Sequence, residues 1–190
     1  MDSRDLKSAL RNKVRADVAR ITPERRLALA FEARALLERQ PVWKEARAIL
    51  FFAPMVEELD VWPMLEEALA AGKMAVLPRF DPENAGYVGC SVKEPATDLT
   101  LGKFGIREPR ASCARVPLNR LDFILVPGVA FDLHGRRLGR GRGFYDQLLA
   151  GVRGRTCGVA FDEQIVGEVP TEPHDIRLHC ILTPTRWIEP

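Results

Sequence analysis

Leu125-Val-Pro-Gly-Val-Ala-Phe-Asp-Leu-His-Gly-Arg-Arg-Leu-Gly-Arg-Gly-Arg-Gly-Phe-Tyr-Asp146 begins as an apolar strand and ends as the start of a helix. Between the two lies a loop in which Gly139, Gly141 and Gly143 alternate and Arg136, Arg137, Arg140 and Arg142 crowd one turn. Glycine admits positive φ and lets backbone N–H groups approach a ligand. N–H groups at a helix start attract anions, and guanidinium forks match phosphate oxygens. The flanking carboxylates Asp132 and Asp146 are candidate Mg²⁺ partners for a bound polyphosphate. No Gly-Lys-Ser/Thr follows the glycines, so this is not a Walker loop. The spacing Gly-x-Gly-x-Gly is not the dinucleotide fingerprint either, and the loop is expected not to follow a strand directly. On composition alone an arginine-rich surface turn explains the stretch equally well.

Working outward, the strand-like runs are Ala48–Ala53, Met74–Pro78, Leu121–Val126, Thr156–Phe161 and His179–Thr183, with short antiparallel strands expected at Gly86–Val92 and Asp98–Leu101. Continuous apolar runs without a polar face suit parallel strands covered on both sides. Helices are expected at 3–20, from a Leu6, Leu10, Val14, Val18 stripe, and at 23–39, with Thr22 as cap, Pro23 at the first position and Pro41 as the stop. A further helix runs from Val61 to Ala71, ended by Gly72, and another from Phe144 to Leu149. The architecture is therefore α/β: an open, mostly parallel, Rossmann-like sheet with helices on both faces. It forms one domain over 1–190, with helices 3–39 packed on the sheet.

In 190 residues, 28 Lys and Arg face 26 Asp and Glu, a net +2 that gives no ground for a nucleic-acid partner. The positive charge is local. The four cysteines are scattered without a Cys-x-x-Cys, so neither zinc nor a redox motif is indicated, and the thiols fit a reducing compartment. The longest apolar run, Ala48 to Val56, is broken by Pro54 and falls far short of the ~20 residues that span a bilayer. A cytoplasmic monomer acting on small molecules, without membrane or nucleic-acid partners, is the expectation.

The whole Gly-Arg-Arg-Leu-Gly-Arg-Gly-Arg-Gly-Phe-Tyr-Asp segment resembles the signature of the 5-formyltetrahydrofolate cyclo-ligase (5,10-methenyltetrahydrofolate synthetase) family. Weaker family motifs follow the same order along the chain: Lys7-Ser-Ala-Leu-Arg11, Glu58-Leu-Asp60 beyond the first strand, Phe104-Gly-Ile-Arg-Glu-Pro109, and His174-Asp175. The resemblance implies ATP- and Mg²⁺-dependent closure of 5-formyltetrahydrofolate to 5,10-methenyltetrahydrofolate, with ADP and phosphate released after phosphorylation of the formyl oxygen. It implies ATP contacts by Lys7, Arg11, Arg137, Leu138, Gly139, Arg140, Gly141, Arg142, Gly143, Phe144 and Tyr145. For the folate it implies Ala53, Glu58, Phe104, Arg140, Gly141, Arg142, Gly143 and Phe144. Arg140 and Tyr145 are the catalytic candidates, and Asp146 and Asp175 the metal candidates. Glu58 would grip the pterin by its amino and amide groups. Glu57, Glu58 and Asp60, just beyond the carboxyl end of the first strand, are all well placed for function; the family role goes to Glu58, Asp60 is read as a helix cap, and Arg15 as part of a solvated basic face. Two positions depart from the family: His179 stands where an aspartate is usual, and Phe144 where a tyrosine is common. The alternatives are a nucleotide-binding paralogue without turnover, and a sugar-phosphate isomerase or acyl-CoA transferase relative that uses no ATP.

Overall fold

The computed structural model describes residues 3–83, 86–102, 105–141, 143–172 and 175–190, the Ser3 side chain excepted. The elements in order are α1 (Ser3–Val18), α2 (Pro23–Glu38), α3 (Pro41–Glu45), β1 (Ala48–Leu50), α4 (Trp62–Ala70), β2 (Met74–Asp81) and β3 (Gly86–Val92). Then come α5 (Pro95–Asp98), β4 (Leu99–Leu101), β5 (Arg107–Pro109), β6 (Arg115–Val116), β7 (Phe123–Pro127), β8 (Ala130–Asp132) and β9 (Arg137–Leu138). The chain closes with α6 (Phe144–Ala150), β10 (Arg155–Val159), β11 (Ile165–Val166), β12 (Cys180–Leu182) and β13 (Trp187–Ile188).

The main sheet has the order β13-β12-β10-β7-β1-β2-β3-β6. Its centre, β12-β10-β7-β1-β2, is parallel. Antiparallel strands finish both edges. Side chains alternate across it by the two-residue period of a strand. Ile49, Phe51, Ala75, Leu77, Phe123, Leu125 and Leu182 enter one core layer with Val14, Val18, Leu29 and Leu37 of α1 and α2. Leu50, Val76, Ile124, Val126 and Ile181 enter the other, with Leu148 and Leu149 of α6 and Phe131 of β8. Both faces are covered, which is why the strands read as unbroken apolar runs rather than as alternations.

Strand order decides where a ligand can sit. From β1 the chain crosses to β2 on one side, and later returns to β7 on the other side of β1. The carboxyl ends of β1 and β7 therefore flank a switch point, where the two crossovers diverge and leave a crevice. The loop after β1 carries Glu57 and Glu58. The chain after β7 passes through the small β8–β9 hairpin into the glycine loop.

Several local expectations are corrected. Pro41 does not simply stop α2; it opens the one-turn helix α3, which buries Trp43 edge-on against Phe51. The glycine loop does follow a strand directly, because β9 ends at Leu138. That strand is only two residues long, too short to announce itself by periodicity. Asp132 is not a metal candidate. It is fully buried, Oδ1 accepting the His134 and Arg136 N–H groups and Oδ2 the Val169 N–H. Arg136 turns away from the glycine loop, to Glu168 and Asp132. Beyond the short strands expected near 86–101, the edge pieces β5, β6, β11 and β13 carried no sequence signal of their own.

Replacing Asp132 by alanine should orphan three backbone donors at once. A buried unsatisfied donor costs about 1–3 kcal/mol; the Val169 N–H is buried and those of His134 and Arg136 partly so, so Asp132→Ala should lose roughly 2 kcal/mol or more of unfolding free energy in urea titration. A loss within experimental error would remove this carboxylate as the anchor of the β8–β9 hairpin.

Candidate functional site

The candidate site is built where the loop after β1 meets the glycine loop. Arg140 reaches across the crevice: Nε and Nη2 donate to Glu58 Oε1 at 3.2 and 3.0 Å, and Nη1 donates to Glu57 Oε1 at 3.2 Å. Burial alone would lower the Arg140 guanidinium; the charge and hydrogen bonds of Glu58 and Glu57 outweigh it and raise it. Burial would likewise raise Glu57, but a hydrogen bond from its own backbone N–H and the Arg140 guanidinium hold it below the usual carboxylate range. Glu58 has only 9% of its side chain exposed. Its Oε2 accepts the Met55 N–H at 3.0 Å, closing the turn after β1. Asp60 does act near the helix start, its Oδ1 accepting the Trp62 N–H, although Val61 is the residue at the cap position. Ala53 lies half-buried where the chain leaves the sheet.

Two of the three alternating glycines take the backbone the sequence suggests, and Gly139 does not. Gly141 (φ 96°) and Gly143 (φ 68°) occupy the left-handed region. Gly143 is the cap of α6. Among the described residues the N–H groups of Arg140, Gly141 and Gly143 have no protein acceptor. From the first helix, Arg11 Nε donates to the Gly139 carbonyl at 2.9 Å. One turn earlier, Lys7 Nζ lies 3.4 Å from Asp175 Oδ2 and 3.2 Å from Glu172 Oε1. Lys7 and Arg11 therefore tie α1 to both loops from one face, and Arg15, on the same stripe, is exposed.

Below the loop, Arg137 is turned inward with 5% of its side chain exposed. It pairs with Asp146, donates to the Pro127 carbonyl at 3.3 Å, and lies 5.9 Å over the Tyr145 ring. Leu138, next to it, is buried in the core. Burial first, and the Glu58 charge second, push the Tyr145 phenol well above its usual range, so it stays a neutral O–H donor. Phe144 packs edge-on against Phe80 and Tyr87, ring centroids 6.1 and 5.4 Å away. A ring without a hydroxyl suits that all-aromatic contact.

Asp146 and Asp175 thus sit on opposite margins of the glycine loop, linked through Arg137 on one side and through Lys7 and Arg11 on the other. No group of three or more His, Cys, Asp or Glu able to hold a metal occurs among the described residues. One or two carboxylates completed by phosphate oxygens is the usual donor set for Mg²⁺. Asp146 and Asp175 are each a single carboxylate of the kind that set requires, and each is paired with a basic side chain, Arg137 and Lys7 respectively. Asp175 Oδ2 also accepts the Glu172 N–H at 2.7 Å, which fixes its orientation.

His179, the departure from the family pattern, has a structural task. Its Nδ1 lies 3.1 Å from the Thr156 N–H and 2.8 Å from Thr156 Oγ1, and its own N–H donates to the Thr156 carbonyl. Accepting from a backbone N–H leaves Nδ1 unprotonated, so the ring proton is on Nε2. Thr156 is at the amino end of β10, the edge of the parallel sheet opposite the strand ends that lead to Ala53 and Glu58. Phe104, Arg142 and His174 lie outside the described residues. In the same motif as Phe104, Glu108 is buried and accepts the Phe80 N–H at 3.1 Å. Glu57 and Glu172 complete the ion pairs of Arg140 and Lys7. Glu57 was legible from its place beyond the carboxyl end of β1; Glu172 carried no sequence signal.

A model of the 5-formyltetrahydrofolate cyclo-ligase family matches residues 3–184. The 5-formyltetrahydrofolate cyclo-ligase of Escherichia coli K12 is 34% identical over 170 residues, covering 87% of this chain and 93% of the relative. That of Mycolicibacterium smegmatis is 34% identical over 148 residues, 75% of this chain and 76% of its own. The solved 5,10-methenyltetrahydrofolate synthetase of Aquifex aeolicus is similar in structure, with a TM-score of 0.88 and 35% identity over 97% of this chain and 92% of that one.

At Gly143 an added Cβ meets open space, so only the backbone would object. Gly143→Ala should cost about 1–2 kcal/mol of stability, read as a lowered urea midpoint with an unchanged slope. An unchanged midpoint would mean that α6 can start without the left-handed cap.

Proposed function

This chain belongs to the 5-formyltetrahydrofolate cyclo-ligase family, and from that membership we propose that it closes 5-formyltetrahydrofolate to 5,10-methenyltetrahydrofolate with ATP as co-substrate. The observation that carries the reading to particular residues is the meeting of Arg140 with Glu58 at the switch point of the sheet. One loop supplies a buried carboxylate suited to paired N–H donors of a pterin. The other supplies unbonded N–H groups and a guanidinium suited to phosphate. The two substrates that must react are thereby directed to one crevice.

The formyl oxygen of the folate is a poor leaving group. In the proposed route it attacks the γ-phosphorus, the bond to the bridging oxygen breaks, and ADP departs. N10 then attacks the same carbon of the iminium phosphate, the C–O bond breaks, and the departing phosphate takes up the N10 proton, leaving the methenyl cation. Such transfers need positioning and charge neutralisation more than covalent help. Gly139, Gly141 and Gly143 would let the backbone close on the phosphates, and Arg140 would meet the charge that develops on the transferring group. Lys7 and Arg11 would close α1 over the nucleotide. Tyr145, a neutral donor, would hydrogen-bond the formyl or phosphoryl oxygen, while Phe144 lines the ring pocket. Arg137 would support the loop from beneath by holding Asp146. Asp146 and Asp175 would hold Mg²⁺, which when bound neutralises phosphate charge. Action as a soluble monomer without nucleic acid or membrane belongs to the same proposal; among the described residues no helix is long and apolar enough to cross a membrane.

Incubation with 5-formyltetrahydrofolate and Mg·ATP should give the methenyl product by absorbance, and omission of ATP should abolish it. Nucleotide binding without product would favour the paralogue that lacks turnover, and product without ATP would favour the isomerase or transferase relative. Arg140→Ala should raise KM for ATP by at least about tenfold, the scale of a lost charge-assisted bond. Glu58→Ala should instead raise KM for the folate. Equal effects of either variant on both substrates would contradict the division of roles.

A further inference from the structure

Glu58, proposed above to grip the folate, and Arg140, proposed to meet the transferring phosphoryl group, are bonded to each other. An ionised carboxylate offers about four acceptor positions, two on each oxygen. Glu58 Oε1 has both of its positions taken by Arg140 Nε and Nη2, and Oε2 has one taken by the Met55 N–H. A pterin presents two parallel N–H donors and needs both oxygens. It can be gripped only if Arg140 gives up at least one bond to Oε1. Arg140, in turn, spends three of its five N–H donors on Glu58 and Glu57 and shares its charge with both carboxylates, so a phosphate competes with them for the guanidinium.

We propose that the Glu58–Arg140 ion pair is a latch that couples the two subsites: folate engaging Glu58 frees Arg140 for the nucleotide, and nucleotide engaging Arg140 frees Glu58 for the folate. The inference rests on the folate and nucleotide assignments above and adds their mutual dependence. Coupling of this kind is reciprocal by thermodynamic necessity. Glu57 has a separate part in it. It faces the outer nitrogen, Nη1, and 44% of its side chain is exposed, so it keeps a hold on Arg140 when Glu58 lets go. Glu57 is a positioning residue for the guanidinium, and it touches neither substrate. Because the coupling is reciprocal, either substrate can arrive first, and each is bound more weakly without the other.

The test is calorimetric titration of the β,γ-imido analogue of ATP with Mg²⁺, with and without saturating 5-formyltetrahydrofolate. For the unchanged protein, folate should tighten the analogue about 3–10-fold, the worth of a partly exposed ion pair. Glu58→Gln should bind the analogue that tightly with no folate present, and folate should add nothing further. Glu57→Gln should tighten the analogue about 2–3-fold alone and keep its response to folate. Equal affinity of the unchanged protein and Glu58→Gln without folate, with melting curves alike, overturns the latch. If Glu58→Gln does not fold, the unchanged protein decides: no gain on adding folate overturns the proposal. Failure of the unchanged protein to bind the analogue at all overturns the nucleotide assignment and the latch with it, whereas binding without coupling overturns the latch alone.

Discussion

A single guanidinium joins the two halves of the site. Arg140 lies 82 residues from Glu58 in the chain, yet the pair spans the crevice at 3.0 Å. Everything else in the molecule serves to bring those two loops to the same end of the sheet. Charge explains why the contact survives partial burial: each member would be costly to desolvate alone, and together with Glu57 they satisfy one another. A ligand group that meets Glu58 or the Arg140 guanidinium therefore competes with a bond already made.

The sheet does the placing. Five parallel strands with the chain reversing direction of travel at β1 and β7 create one crevice at their carboxyl ends. Buried turns hold the loops that rise from it. Asp132 gathers three backbone N–H groups beneath the β8–β9 hairpin. Gln164 Nε2 donates to the carbonyls of Gly128 and Val129 at the foot of the same segment. These bonds anchor the hairpin beneath the glycine loop, although the buried Nε atoms of Arg136 and Arg137 have no hydrogen-bond partner among the described residues. The first helix adds a second tether through Arg11 and Lys7, from a face that was basic by sequence and became part of the site by packing.

The parallel core was legible because each central strand is buried on both sides, and an apolar run of that length has few other uses. The helices α1 and α2 were legible from their stripes and, for α2, from Thr22 and Pro23 at its start. What escaped was short. A two-residue strand such as β9 or β13 has no period to read, and it exists only because a neighbour offers hydrogen bonds. Within the candidate site, residue types were readable and pairings were not. The signature placed Arg136, Arg137 and Arg140 in one turn, and the structure sends them to Glu168, Asp146 and Glu58 respectively. Asp132 and Asp146 looked alike as flanking carboxylates; the first is sealed in the core and the second is at the rim.

By itself the sequence determined the α/β class, the left-handed turns at Gly141 and Gly143 and the family, because these depend on local sterics, on burial pattern and on a dense motif. Only the tertiary structure decided which carboxylate each arginine neutralises, that His179 ties two strand starts far from the crevice, and that Glu57 shares Arg140 with Glu58. Such outcomes depend on the distance between segments far apart in the chain, and ion pairs form only within a few ångströms. A string of residues carries their chemistry, and the fold supplies the separation at which that chemistry acts.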